Sequence, residues 1–220
     1  MNITLFTGAG ISAESGVPTF RGDKGIYTES GKLVELSPMD WFDYNSATFD
    51  KTAVKLQNFL GQARSFVENN CDPNEGHTLI AEWQSEVEAE GGTFSVITTN
   101  VDNLHERAGS NPIKIHGDLF TDRMIDVAGS HMKMPDVVLF GEAKKRQDDM
   151  WDAVKGADVF AVIGSSLSIF GDTHMLCEAR ERGAKTFEIN PNPTGHPHFD
   201  VVIAKGATEG LKEMRSILAA

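Results

Sequence analysis

Cysteine is scarce in this sequence, which has only Cys71 and Cys177 among its 220 residues. Two cysteines far apart in the chain do not make the closely spaced set that braces small secreted domains with disulfide bonds. Their scarcity suits a reducing compartment, so we expect a cytoplasmic protein.

Long apolar runs and an excess of positive charge are missing as well. No run approaches the roughly 18 apolar residues of a membrane span, and no signal-peptide pattern precedes the first apolar segment. Lys and Arg total 20 against 32 Asp and Glu, a formal net charge of −12. Because an acidic chain does not neutralise phosphates, we expect neither a membrane nor a nucleic acid as partner, and weak attraction of basic peptides. Nothing in the sequence indicates the oligomeric state.

What the chain does contain is a glycine-rich segment near its start, residues 7–25, with the sequence TGAGISAESGVPTFRGDKG. The apolar residues 3–6 predict a buried strand, the Gly-Ala-Gly at 8–10 predicts a turn, and residues 11–15 predict the start of a helix. Glycine lets the backbone approach a phosphate, and N–H groups at the start of a helix attract anions. The pattern indicates dinucleotide binding, but ordinary strand-to-helix turns show it too.

The stretch that follows departs from an ordinary dinucleotide fold, in which a second strand and an acidic ribose ligand come about 20 residues later. Residues 16–31 instead read as a polar loop that carries Pro18, Phe20 and Arg21. We interpret it as a loop that folds over a bound cofactor and brings an aromatic ring and a guanidinium group to it.

Apolar runs and amphipathic segments alternate along the rest of the chain. This alternation predicts an α/β fold with a Rossmann-like, doubly wound and largely parallel sheet. Further strands are predicted at residues 94–98, 113–115, 136–140, 159–163, 186–189 and 201–203. Helices are predicted from residue 37 to about 69, over 72–90, 102–108, 144–155 and 173–182, and from 208 to the end, with a strand-and-loop excursion over 118–135.

Asn100 and Asp102 lie just beyond the predicted strand 94–98, at the carboxyl edge where open α/β sheets bind ligands. An amide and a carboxylate there suit a nicotinamide amide and a ribose hydroxyl. Both residue types are also common helix caps, so the position alone leaves the two roles open.

His116 follows a short apolar strand and precedes a glycine, so we expect its ring to face a cleft. An ordinary pKa near 6.5 makes histidine a suitable general base at neutral pH. A structural role is the alternative, as it is for His77 and His105 on their predicted helices. His196 and His198 form an H-x-H pair in a proline-rich loop, which offers incidental metal ligands.

Two more strand ends carry small polar residues. Gly164, Ser165 and Ser166 follow the strand 159–163, and Asn190 follows the strand 186–189. They suit contacts with a second phosphate or ribose and with the adenosine, and ordinary turns are the alternative. Their occurrence together with the glycine-rich turn favours cofactor binding.

Five ordered stretches, which together span residues 4–193, carry a family resemblance. They are GAGISAESGVPTFRG (8–22), ITTNVDNLHERAG (97–109), IHGDL (115–119), VVLFGE (137–142), and GSSLS (164–168) with EINPNP (188–193). This combination resembles the sirtuins, the NAD-dependent protein deacylases.

The resemblance implies an enzyme with NAD as cofactor and an acylated-lysine protein or peptide as substrate, giving nicotinamide, free lysine and O-acyl-ADP-ribose. It implies His116 and Asn100 as catalytic residues. The implied cofactor-binding residues are Gly8, Ala9, Gly10, Ile11, Phe20, Arg21, Thr99, Asn100, Asp102, Gly164, Ser165, Ser166, Asn190 and Ala207. The implied substrate-binding residues are Val138, Phe140, Gly141, Phe59 and Gln62.

In the family a substrate peptide pairs with the backbone of the segment 137–142, a form of β-augmentation. Val138 and Phe140 are the side chains placed to line the acyl-lysine channel. A buried core strand is the alternative for alternate residues, because side chains point to both faces.

The sequence departs from the family's pattern at its zinc site. Most sirtuins hold a structural zinc with four cysteines after the His-Gly motif, whereas residues 117–136 contain no cysteine. His131 with Asp122 or Asp126 does not complete a tetrahedral set. We expect no structural metal and a reduced small lobe.

Other departures concern the cofactor and the acyl group. Thr99 and Leu139 replace a usual glutamine and a usual tryptophan. Deacylases for dicarboxylic acyl groups have a Tyr-x-x-Arg pair, which Phe59 and Gln62 replace here, with Arg64 in register only if the alignment slips. Without that arginine a second carboxylate has no bidentate partner, which favours a neutral acyl group.

We expect one catalytic domain over 1–220 with two lobes. The large, Rossmann-like lobe takes in residues 1–35, 92–116 and 136–220, and the small lobe residues 36–91 and 117–135. An NAD hydrolase or ADP-ribosyltransferase and a non-catalytic NAD-binding module are the competing functions.

Overall fold

The computed structural model describes residues 1–19, 43–44, 49–167 and 172–220. The predicted helix start at residue 37, the loop positions Phe20 and Arg21, and Ser168 of the GSSLS motif lie outside the described residues.

A six-stranded parallel sheet forms the centre of the molecule. Its strands, in the order in which they lie side by side, are β3-β2-β1-β6-β7-β8, and every neighbouring pair is parallel. Leaving aside β4 and β5, this is the strand order of a doubly wound dinucleotide-binding sheet. In chain order the strands are β1 (Asn2–Thr7), β2 (Thr93–Thr98), β3 (Ile113–Lys114), β4 (Gly117–Val127), β5 (Ser130–Val137), β6 (Val159–Ile163), β7 (Lys185–Ile189) and β8 (Val201–Ile203).

Helices cover both faces of the sheet, as the alternation of strands and helices predicted. The described α-helices are α1 (Phe49–Asn70), α2 (Glu75–Ala89), α3 (Leu104–Arg107), α4 (Gln147–Lys155), α5 (Asp172–Glu181) and α6 (Ala207–Ala219).

Side-chain alternation along β1 divides the core between those two faces. Leu5 is completely buried in a cluster with Trp83 of α2 and Leu211 of α6. Phe6 points the other way, into a cluster with Val154 of α4 and Leu176 of α5. Burial of each such side chain contributes about 1.5–3 kcal/mol, so this two-sided core fixes the carboxyl ends of the strands on which the site is built.

A smaller unit packs beside the main sheet. The antiparallel hairpin β4–β5 lies against α1, and the two share a core that includes Leu56, Leu119, Ile125 and Met134. The predicted excursion over 118–135 is therefore a hairpin, whose register shifts between Asp118 and Asp122.

Four predicted elements differ from those observed. The continuous helix predicted from residue 37 to about 69 is wrong at residues 43–44, because Asp43 makes an isolated bridge and Tyr44 lies in a turn, and α1 begins at Phe49. The predicted strand 136–140 is wrong, because β5 ends at Val137 and Phe140 makes only an isolated bridge with Asp43. The predicted helix start at 11–15 is also wrong: two short 3₁₀ turns, Ala9–Ile11 and Ala13–Ser15, stand there. Helix α4 begins at Gln147, after the backbone of Arg146 takes a positive φ of 49°.

The division into lobes stays a proposal, with one boundary moved. Helix α2 packs on the main sheet through Ile80, Trp83 and Val87, so we place it with the large lobe. In the described parts of the chain no helix combines the length and apolarity needed to cross a bilayer.

Candidate active site

The ends of β1 and β6 meet in two glycine turns. The Gly8 N–H donates to the carbonyl of Ile163, and the Gly10 N–H donates to the carbonyl of Gly164, both at 2.9 Å. A Cβ on Gly10 would lie 2.5 Å from the Gly164 Cα, and Gly164 has a φ of +60°. The two glycines are therefore needed for the backbones to cross, a requirement additional to the approach of a phosphate.

Asn100 and Asp102, at the end of β2, converge with Ser12 beneath the first glycine turn. The Asn100 Nδ2 donates to the Gly8 carbonyl at 3.2 Å and to the Ser12 hydroxyl at 3.1 Å. The Ser12 hydroxyl donates to the Asp102 carboxylate at 2.9 Å. All three side chains are buried. The structure thus brings the predicted pair into one hydrogen-bonded cluster with the glycine loop.

Asp102 also does what a helix cap does. Its other carboxylate oxygen accepts from the Leu104 N–H at 3.1 Å, at the start of α3. Burial raises the pKa of Asp102, against the hydrogen bonds from Leu104 and Ser12, which lower it. The cap and the cluster at the strand end are compatible roles of one carboxylate.

His116 lies between β3 and β4 and is partly buried. Burial and, to a smaller extent, the nearby Lys144 ammonium lower the pKa of His116, a hydrogen bond to the backbone of Thr99 raises it, and the net value is about 4. The ring is therefore neutral at pH 7, the state that accepts a proton. Gly117 next to it has a φ of +86°, and a Cβ there would lie 2.0 Å from the Asp136 carbonyl oxygen, so the His-Gly pair needs its glycine.

The remaining predicted cofactor residues lie at strand ends or next to them. Thr99 donates from its N–H to the Thr7 carbonyl at 3.1 Å, which ties β2 to β1. The Asn190 Nδ2 donates to the Ser165 carbonyl at 3.1 Å, which ties the end of β7 to the turn after β6. Four more predicted residues sit in these turns or at a helix start: Ala9 and Ile11 in the first 3₁₀ turn, Ser166 exposed after β6, and Ala207 as the first residue of α6.

Several residues that support this edge were not predicted as part of the site. The Asn74 side chain donates to the Ile11 carbonyl at 2.7 Å and to Ser15 at 2.9 Å, and with His77 it forms the capping box of α2. The His77 ring stacks edge-on against that of His105, whose Nε2 is 3.0 Å from the Thr7 hydroxyl. The predicted structural roles of these two histidines are confirmed. An Asn-x-x-His before an apolar run is a capping signal that sequence reading is able to find.

The predicted substrate residues fall into two groups. Val138 is half-buried and Phe140 is 45% exposed, with Gly141 next to it at a φ of +87°. Phe59 packs against the core of the smaller unit, and Gln62 is exposed on α1. The structure does not bring these last two into a hydrogen bond with the cluster around Asn100.

The Arg64 side chain binds the β4–β5 hairpin. Its guanidinium donates to the carbonyls of Leu119 at 2.5 Å and Thr121 at 3.0 Å, and pairs with Asp122 at 2.7 Å. These contacts fasten the hairpin to α1.

The hairpin does not fit a four-ligand zinc. His131 pairs with Asp126 at 2.7 Å on the exposed turn, and the segment has no cysteine. The apolar core shared with α1 does the bracing instead.

The strand order, the glycine turn after β1 and the polar side chains at the carboxyl edge define a Rossmann-like protein of the dinucleotide-binding class. A family model described as the Sir2 family matches residues 8–129. An NAD-dependent protein deacylase of Mycolicibacterium paratuberculosis is 34% identical, the match covering 88% of this chain and 87% of that protein. One of Bacteroides thetaiotaomicron is 32% identical, with 99% and 97% covered. The chain belongs to the Sir2 family.

Solved structures agree with this assignment. A variant of a Sir2 homologue in complex with ADP-ribose superposes with a TM-score of 0.82 at 30% identity, covering 99% of this chain and 93% of that one. The predicted fold class and the predicted family are confirmed.

Proposed function

We propose that this chain is an NAD-dependent protein deacylase that removes acyl groups from lysine side chains. The observation that carries the proposal is the placement of a neutral, partly buried His116 beside Thr99, one residue from the buried Asn100–Asp102–Ser12 cluster. A base, an amide and a carboxylate thus share one sheet edge. The relatives named above carry the same activity in their names.

The residues at this edge fit NAD. Hydroxyl and amide side chains of Thr99, Asn100, Ser165 and Asn190 offer hydrogen bonds suited to ribose hydroxyls and a carboxamide, and the glycine turn keeps side chains away from a diphosphate. When bound, NAD supplies the ADP-ribosyl group that accepts the acyl group and releases nicotinamide.

His116 would act as the general base. Its neutral ring accepts the proton of a ribose hydroxyl, which frees that oxygen to attack the acyl carbon. The Thr99 backbone, which raises the pKa of the ring against the effect of burial, would orient the imidazole. Asn100, anchored by Gly8 and Ser12, would orient the nicotinamide end.

The segment 138–141 would receive the substrate peptide. The Val138 N–H donates to the His116 carbonyl at 2.8 Å, and the Phe140 carbonyl accepts from Tyr44 at 3.2 Å. These bonds hold the segment next to the proposed base, and the exposed Phe140 ring offers an apolar contact for an acyl-lysine chain. A protein or peptide substrate fits this arrangement.

We infer that the preferred acyl group is neutral. Arg64, the arginine nearest the positions that serve dicarboxylic substrates, already binds two carbonyls and Asp122. An acyl carboxylate would have to displace those contacts to gain a bidentate partner.

Product analysis with NAD tests both the deacylase activity and the preference for a neutral acyl group. Purified protein is incubated with NAD alone and with acetyl-, butyryl- or succinyl-lysine peptides, beside His116→Ala and the exposed-histidine control His131→Ala. We expect nicotinamide release that requires peptide, gives O-acyl-ADP-ribose, disappears in His116→Ala and persists in His131→Ala. Peptide-independent release of ADP-ribose would identify an NAD hydrolase instead, and bound NAD without turnover a binding module. A succinyl preference would contradict the acyl assignment alone.

A further inference from the structure

A cysteine and two histidines come together at the far edge of the main sheet, away from β3 and the hairpin. Cys177 lies on α5, and His196 and His198 lie in the connection between β7 and β8. Their ligand atoms all lie within 4.8 Å of one another, and the Cys177 Sγ is 3.2 Å from the His198 Nδ1. Among the described residues this is the one group of three such side chains that close together.

The fold holds the two histidines in place through their backbone. The His198 carbonyl accepts from the Thr186 hydroxyl at 2.7 Å and from Arg180 at 3.0 Å, which anchors it to β7 and α5. The His196 N–H donates to Thr194 at 3.3 Å, and the two imidazole rings stack edge-on with centroids 5.0 Å apart. Because the backbone of both histidines is already held in place, a bound ion would need to rotate only their side chains.

We propose that Cys177, His196 and His198 form a binding site for one divalent transition-metal ion of the zinc class. Thiolate and imidazole are the ligands that zinc takes, at about 2.3 Å for sulfur and about 2.0–2.1 Å for nitrogen. Those bond lengths place tetrahedral ligand atoms about 3.3–3.6 Å apart. The Cys177 Sγ and the His198 Nδ1 already stand at 3.2 Å, and the other ligand atoms, which lie within 4.8 Å, would move closer by side-chain rotation. A water would complete the fourth position. A site of sulfur and nitrogen does not suit magnesium, which prefers oxygen ligands.

The proposed ion would join α5 to the β7–β8 connection. That connection begins at Asn190, whose side chain bonds the Ser165 carbonyl at the cofactor edge. An ion bound to a helix and to this connection would hold both together in the folded chain only, so it would raise thermal stability by an amount that grows with the logarithm of its affinity. The proposal does not depend on the deacylase activity.

Cobalt(II) titration of the full chain tests the site, because a cobalt–thiolate bond produces a charge-transfer absorption band. Protein stripped with a chelator is titrated with Co²⁺, beside Cys177→Ser, His196→Ala and His198→Ala. Cys71→Ser and His131→Ala serve as matched controls, the first for the other cysteine and the second for an exposed histidine. We expect the band to saturate at one Co²⁺ per chain and to vanish in Cys177→Ser. In both histidine variants we expect the affinity for Co²⁺ to fall at least tenfold. The controls keep it, and Zn²⁺ bleaches it while Mg²⁺ does not.

Absence of the band from the wild-type chain, or its survival in Cys177→Ser, would overturn the proposal. Thermal unfolding is the second measurement: Zn²⁺ should raise the midpoint of the wild-type chain and of Cys71→Ser, but not that of Cys177→Ser. A midpoint that rises equally in all three would also count against the site. If one variant does not fold, the other two cluster variants decide the outcome.

Discussion

His116 sits where protein atoms have replaced most of the water around its ring. An imidazolium loses hydration there and also meets the positive charge of Lys144, so the neutral form is favoured. The consequence is a base that stays neutral through the whole physiological pH range. Lys144 is itself paired with the buried Asp172 at 2.7 Å, which keeps its charge in place.

The first prediction is the titration of this ring. In the free protein the His116 imidazole should protonate with a pKa of about 4, well below the ordinary value for histidine. Histidine-labelled NMR spectra recorded from pH 8 to about one pH unit below the expected midpoint measure it, with His116→Ala assigning the signal. The exposed His131 gives a signal from the same sample for comparison. A His116 midpoint at or above 6.5 would contradict the burial argument.

Ser12 joins the glycine loop to the side chains of Asn100 and Asp102, which follow β2. The second prediction is that Ser12→Ala lowers kcat/KM for NAD by about 10–100-fold, since a hydrogen bond to a charged group contributes about 1.5–3 kcal/mol. Steady-state kinetics measure the change. Ser85→Ala, which removes an exposed hydroxyl bonded to the Ala81 carbonyl on α2, is the control and should leave kcat/KM unchanged. An unchanged value in Ser12→Ala would mean that Asn100 and Asp102 are held without it.

At the scale of elements, the two glycine turns act as one unit. Neither turn tolerates a Cβ where their backbones cross, because the atoms in the way are backbone atoms of the other turn. The same chain has a glycine in the opposite situation: Gly61 lies within α1, and nothing stands within 4 Å of the place where its Cβ would be.

The third prediction contrasts these positions. Gly10→Ala should displace the turn and weaken NAD binding more than tenfold, because its Cβ would sit 2.5 Å from the Gly164 Cα. Gly61→Ala should leave NAD binding unchanged and raise the thermal midpoint by about 1–4 °C, since alanine stabilises a helix interior by about 0.5–1 kcal/mol over glycine. Calorimetric NAD titration and thermal unfolding of both variants check this. Equal NAD affinity in Gly10→Ala and the wild type would refute the packing argument.

The residue that caps helix α2 also binds the glycine loop, which is distant from it in the sequence. The Asn74 Oδ1 accepts from the His77 N–H to cap the helix, and its Nδ2 donates to the Ile11 carbonyl and to Ser15 in the glycine loop. The Asp-Pro at 72–73 predicted a helix start in this region, and the helix begins at Glu75. The bonds that link the cap to the loop depend on how α2 docks on the sheet.

At the scale of the whole molecule, buried neutral histidines make stability depend on pH. Burial lowers the pKa of His77 to about 4 and that of His105 to about 3, and His116 behaves alike. The unfolded chain takes up protons on these residues below about pH 6.5, while the folded chain does not until near pH 4. Their contribution to stability is therefore complete above pH 6.5 and is lost as the pH falls towards 4.

The fourth prediction concerns the loss of unfolding free energy as the pH falls. Between pH 7 and pH 5 each such histidine should cost about 2 kcal/mol of unfolding free energy. Urea unfolding at several pH values measures it in the wild type and in His105→Gln, with the exposed His131→Ala as control. Raised pKa values at Asp102 and Asp172 act in the opposite direction, so the informative quantity is the difference between variants. Between pH 7 and pH 5, His105→Gln should lose about 2 kcal/mol less of its unfolding free energy than the wild type loses.

The acidic surface and the cytoplasmic location stay predictions at this scale. A formal charge of −12 favours basic peptides over phosphates as partners.

The fold class was determined by the sequence itself, because buried parallel strands need largely apolar runs such as those of β1 and β6, and alternating helices must cover both faces. The glycine turn, Asn100, Asp102 and His116 were also readable, since each stands at a strand end where such sheets bind ligands. The bonds of Ser12 and Asn74 were decided by tertiary structure alone, as was the meeting of Cys177 with His198. Each joins residues far apart in the chain, and only the order of strands and the docking of helices brings their atoms within reach.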